Sequence, residues 1–104
     1  MSRRAETQSW AMLTNHAHVL VSIADEPELR IREIAAKTGI TERAAQRIIG
    51  DLEAAGFLSH SRVGRRNHYE VDFQRKSAHP LERHLDVNSL REDMSEASQA
   101  GAAT

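Results

Sequence analysis

The run "IREIAAKTGITERAAQRIIGDLEAAGF", residues 31–57, constrains the fold of this chain more than any other stretch. Ile31, Ile34, Ala35 and Thr38 recur at the spacing of one helix face, and that face stops at Gly39, which is free to take positive φ and turn the chain. Thr41 then offers a hydroxyl for an N-cap. Ala44 stands where a capping box needs Glu or Gln, so the cap is expected without the box. The second helix begins at Glu42, with Ala45, Ile48, Ile49 and Leu52 on one face and Arg43, Gln46, Arg47 and Gly50 on the other. One side is committed to a core, and the other is free to bind.

The flanks extend this pattern. Gly56 ends the second helix, and "FLSHSRV" and "HYEVDF" read as two short strands around the turn-forming cluster Gly64, Arg65, Arg66 and Asn67. Tyr69, Val71 and Phe73 alternate as in a half-buried strand. Upstream, "WAMLTNHAHVLVSIADEP" predicts a helix capped by Thr14 and closed before Pro27, with Leu13, Ala17, Leu20, Val21 and Ala24 facing the core. Downstream, Pro80 suits a first helical position, and Leu81, Leu85, Leu90 and Met94 form an apolar stripe that Asp86, Val87 and Asn88 interrupt.

The fold class expected is mainly α with a small β-hairpin. Residues 1–9 are expected to be a flexible arm, 10–75 the main domain, 76–94 a C-terminal segment with a possible dimerisation helix, and 95–104 a disordered tail. A chain of 104 residues allows one modest core and little room for an enzyme cleft. It has no cysteine, which removes disulfides, thiolate metal sites and cysteine nucleophiles, and suits a reducing cytoplasm. "MSRRAETQSW" lacks the apolar run of a signal peptide, and no stretch approaches the length of a membrane span, so a cytoplasmic protein is expected.

Charge is unevenly placed. From Arg30 to His68 eight Lys and Arg residues stand against four acids, a balance of +4, while the whole chain carries a formal -1 and the remainder therefore -5. A basic helix face beside a basic hairpin tip is the footprint of a duplex DNA reader.

These residues resemble the winged helix-turn-helix transcription regulators, in particular the MarR and ArsR repressor families. "IREIAAKTGITERAAQRIIGDLEAAGFL" is similar to their helix, turn and recognition helix, and "RVGRRNHYEV" to their wing. The resemblance implies a sequence-specific regulator that binds double-stranded DNA as a homodimer. Thr41, Glu42, Arg43, Gln46 and Arg47 would lie in the major groove, with Arg43 and Arg47 suited to guanine and Gln46 to adenine. Thr41 and the helix N-terminus would meet a phosphate. Arg65 and Arg66 would reach the minor groove or backbone, with Arg62 and Asn67 fixing phosphates beside them.

Other readings stay open on the residues alone. Arg43 and Arg47 could simply be a solvated face paired with Glu42 or Asp51, and a winged helix can dock an acidic protein or RNA instead of DNA. A metal-responsive repressor is the weaker alternative: His16 and His18 are two apart, and His79 and His84 five apart near Glu82 and Asp86, which are poor spacings for ligands on one helix face. No metal site or cofactor is expected, His60 and His68 are placed in the wing strands, and no nucleophile motif accompanies the scattered Ser, His and Asp residues. The segments available for a dimer seam are Trp10, Met12 and Leu13 with the first helix, and the C-terminal leucines. A small-molecule effector pocket at that seam is compatible with the sequence and not required by it.

Overall fold

The computed structural model describes residues 13–94, so the arm at 1–9, Trp10, Met12 and the tail from 95 lie outside the described residues. The chain runs α1 (Asn15–Asp25), α2 (Ile31–Thr38), α3 (Glu42–Ala54), β1 (Leu58–Val63), β2 (Arg66–Val71), a 3-10 turn (Pro80–Glu82) and α4 (Val87–Met94). This is the mainly helical fold with one hairpin that the sequence predicts.

The α2–α3 pair forms as its local chemistry dictates. Gly39 closes α2 at φ 82°, and its N–H donates to the Ala35 carbonyl. Thr41 Oγ1 accepts from the Ala44 N–H at 3.0 Å, satisfying one donor at the start of α3. At the start of α2, Arg30 has no acceptor to offer, and Glu33 reaches back to the Arg30 N–H at 2.7 Å instead. Gly56, at φ 83°, redirects the chain out of α3 into β1.

The core lies where α1, α2 and α3 meet and is closed by the hairpin. Ile34, Ala35, Ala45, Ile48, Ile49, Leu52, Leu58 and Tyr69 are buried together with Val19, Leu20 and Ile23 of α1. Helix α1 departs from expectation. Residues 19–23 are all buried, whereas Leu13, Ala17 and Ala24 are only half-buried. The cause is its position: α1 packs against α2, α3, α4 and β2, so its middle is covered on several sides and a single apolar face does not describe it. Ser22 is accommodated there by donating its hydroxyl to the His18 carbonyl. Thr14 sits at the N-cap position of α1, but its carbonyl, not its side chain, takes the first turn's N–H groups.

Two further expectations are corrected. The second strand stops at Val71, and Phe73 lies beyond it: Asp72 Oδ1 accepts from the Gln74 N–H, and the Arg75 N–H bonds the Asp72 carbonyl, so the chain turns there. Phe73 instead faces the Arg91 guanidinium, 5.6 Å from its ring centroid. The C-terminal segment is not one helix from Pro80. Asp86 Oδ1 accepts from the Ser89 N–H at 2.8 Å and starts α4 afresh, so Val87 becomes the buried residue while Leu81 is 90% exposed. The residues that interrupt the stripe are thus a helix start.

Candidate nucleic-acid interface

Helix α3 carries its apolar residues inward and leaves Glu42, Arg43, Gln46 and Arg47 exposed on the outside. Among the described residues no side chain hydrogen-bonds or ion-pairs with Arg43, Gln46 or Arg47. Glu42 and Asp51 therefore do not neutralise these arginines. Asp51 is engaged elsewhere, by His16 Nε2 of α1 at 2.9 Å. Thr41, exposed at the head of α3, uses its hydroxyl to cap the Ala44 N–H, and its carbonyl accepts from the Ala45 N–H.

The wing's geometry sorts its polar residues onto two faces. The register pairs Leu58 with Val71, His60 with Tyr69, Arg62 with Asn67, and Val63 with Arg66 across a two-residue turn of Gly64 and Arg65. Gly64 takes φ 64° and Arg65 does not share a positive φ, as a tight hairpin turn with glycine first requires. Because side chains alternate, Arg62 and Asn67 share the face that buries Leu58 and Tyr69, and Arg66 and His68 share the other. Arg66 and Asn67 are thus strand residues, with Arg65 alone at the tip.

On the inner face, His60 Nδ1 is paired with Glu53 Oε2 of α3, which ties the hairpin to that helix. Burial pushes the Tyr69 hydroxyl above its ordinary pKa; a hydrogen bond to Asn67 opposes this, and the Glu53 carboxylate adds to the rise. On the outer face, Glu28 lies 3.9 Å from Arg66 and 3.4 Å from His68. The Pro27 carbonyl accepts from the Tyr69 N–H at 3.0 Å, so the segment leading into α2 runs beside the free edge of β2.

The sequence places Arg30 in the basic stretch but gives no sign that it belongs to the site. Arg30 lines one concavity of 360 Å³ with Arg65, Arg66 and Asn67, between the start of α2 and the hairpin turn. Its 35-residue separation from Arg65 is what hides it from a reading of neighbouring residues. The histidines do not converge: His16 is held by Asp51, His60 by Glu53 and His68 by Glu28, each from a different part of the chain. Among the described residues there is no group of three or more His, Asp or Glu side chains arranged to hold a metal ion.

A tri-helical core, a capped helix with its polar face outward and a basic two-stranded wing together define a winged helix-turn-helix protein of the transcription-regulator class. The MarR family model matches residues 12–66, from α1 to the start of β2, and the chain belongs to the MarR family. Its members are transcription regulators, not enzymes.

Solved structures agree on the fold. The adhesin competence repressor AdcR from Streptococcus pyogenes superposes with a TM-score of 0.57 at 14% identity, over 98% of this chain and 67% of that one. MepR, a transcription regulator of the Staphylococcus aureus multidrug efflux pump MepA, gives 0.54 at 14% identity, over 97% and 70%. The PcaV transcriptional regulator from Streptomyces coelicolor, solved with its natural ligand, gives 0.51 at 16%, over 98% and 83%. No curated protein matches the chain. Among the described residues no helix is long and apolar enough to cross a membrane.

Proposed function

We propose that this protein is a cytoplasmic, sequence-specific regulator that binds duplex DNA as a homodimer, with α3 in the major groove and the wing against the adjacent backbone or minor groove. The observation that carries the reading is the exposed face of α3, where Arg43, Gln46 and Arg47 stand together without side-chain partners among the described residues. Arginine can grip guanine O6 and N7 bidentately, and glutamine adenine N6 and N7. Arg62, Arg65, Arg66 and Asn67 supply contacts to phosphate or the minor groove, with Arg30 beside them. Thr41 and Glu42 stand at the end of α3 that enters first. Two copies related by a two-fold axis place their α3 helices roughly 34–36 Å apart, which calls for a near-palindromic operator.

Selection from a random-duplex library at near-physiological salt tests this. An inverted repeat with half-sites about one helical turn apart is expected. Retention without a motif would reduce the protein to a nonspecific binder, and no retention would favour a module that docks an acidic protein or RNA.

A further inference from the structure

Gly50 occupies the interior of α3, where glycine lowers helix stability relative to alanine because it gives up more freedom on folding. Nothing in the described chain calls for it. It is absent from the residues at positive φ, so its backbone conformation suits any residue. A Cβ at this position would meet no atom of the described residues within 4 Å apart from its chain neighbours and the helix's own backbone, so tertiary packing does not require its absence.

Its place on the helix is informative. At 3.6 residues per turn Gly50 lies about 20° around the axis from Arg43 and about 40° from Gln46, and about 10 Å further along than Arg43. It therefore continues the strip that carries Arg43, Gln46 and Arg47, which have no side-chain partner among the described residues. The carboxylates on its two sides are already engaged, Asp51 by His16 at 2.9 Å and Glu53 by His60. Between them α3 presents bare backbone to the outside.

We infer that Gly50 is a positioning residue of the DNA interface: the missing side chain lets the duplex approach the α3 backbone closely at its third turn, and that approach sets the depth at which Arg43, Gln46 and Arg47 reach the bases. The inference rests on the DNA-binding reading above. Glycine's use where a ligand must approach backbone closely is the general principle involved. The cost to the helix is borne by the free protein, and the return is realised only in the complex.

The test compares wild type with Gly50→Ala and Gly50→Leu on the duplex recovered by selection, reading melting temperature, affinity and the slope of log affinity against log salt. Gly50→Ala is expected to raise the melting temperature by about 4 °C or more. Its affinity is expected to fall at least about tenfold with a shallower salt slope, because a helix held out of the groove loses the phosphate contacts at its N-terminus together with the base contacts, and fewer neutralised phosphates release fewer counterions. Gly50→Leu, also a good helix former, is expected to bind more weakly still. Wild-type affinity in Gly50→Ala, or a lowered melting temperature, overturns the inference alone. Failure of the wild type to retain any duplex removes the DNA-binding reading and this inference with it.

Discussion

Arg62 stands directly opposite Asn67 across the hairpin, on the face that buries Leu58 and Tyr69 and is tied to α3 through His60 and Glu53. Arg66, one residue earlier than Asn67, falls on the other face, within reach of Glu28. Two arginines four residues apart in one basic hairpin thus have different surroundings. Arg62 has no side-chain partner among the described residues, and Arg66 has a carboxylate beside it.

This difference predicts unequal effects on DNA binding. Arg62→Ala is expected to reduce the salt slope by about 0.9, the loss of one phosphate contact. Arg66→Ala is expected to cost less, and Glu28→Gln to strengthen binding by a factor of about two to five, the scale of an exposed ion pair. Salt titrations of the three variants decide it; equal losses for both arginines would show that the two faces are not distinguished by the duplex.

On α3 the expected effect is on sequence preference. Arg43→Ala and Gln46→Ala are each predicted to cost about 1–3 kcal/mol on the preferred duplex and to relax discrimination at one base position, whereas Arg65→Ala weakens all duplexes alike. Competition binding against single-base variants of the recovered site separates the two behaviours. A uniform loss in Gln46→Ala would place that side chain on the backbone.

Legibility in the sequence followed the range of the interactions. The helix-glycine-helix unit was readable because Gly39, Thr41 and the spacing of Ala45, Ile48, Ile49 and Leu52 act within a few residues of one another. The hairpin was readable from Gly64, although its exact turn and the end of β2 before Phe73 depended on the turn at Asp72. Helix α1 was harder, since contacts on several sides bury Val19 to Ile23 in succession and blur its period. Arg30 beside Arg65 could not be read at all, because the proximity exists only after α2 and the wing have packed on one core.

The cap of α3 gives a stability prediction tied to the site. Thr41 Oγ1 satisfies the Ala44 N–H, so Thr41→Ala is expected to destabilise the domain by about 1 kcal/mol and lower the melting temperature by several degrees, while Thr41→Ser leaves it nearly unchanged. Thermal unfolding followed by circular dichroism measures both. If Ala and Ser unfolded together, the hydrogen bond would carry no net stability.

The start of α4 makes the last prediction, which concerns pH. Hydrogen bonds from Ser89, backbone first and side chain second, hold the Asp86 carboxyl below its ordinary pKa, against a small opposing effect of desolvation and with a lesser contribution from Lys76. A carboxyl whose folded pKa is depressed contributes stability that is present above the unfolded value of about 3.9 and is lost as pH falls through the folded value. The difference in melting temperature between wild type and Asp86→Ala is therefore expected to be constant from about pH 7 to pH 5 and to shrink below about pH 4. Ser89→Ala removes the side-chain bond but keeps the backbone one, so it is expected to narrow that pH dependence without abolishing it. A difference that stayed constant to pH 2 would mean that Asp86 caps α4 without its charge, and that the hydrogen bond rather than the carboxylate starts the helix.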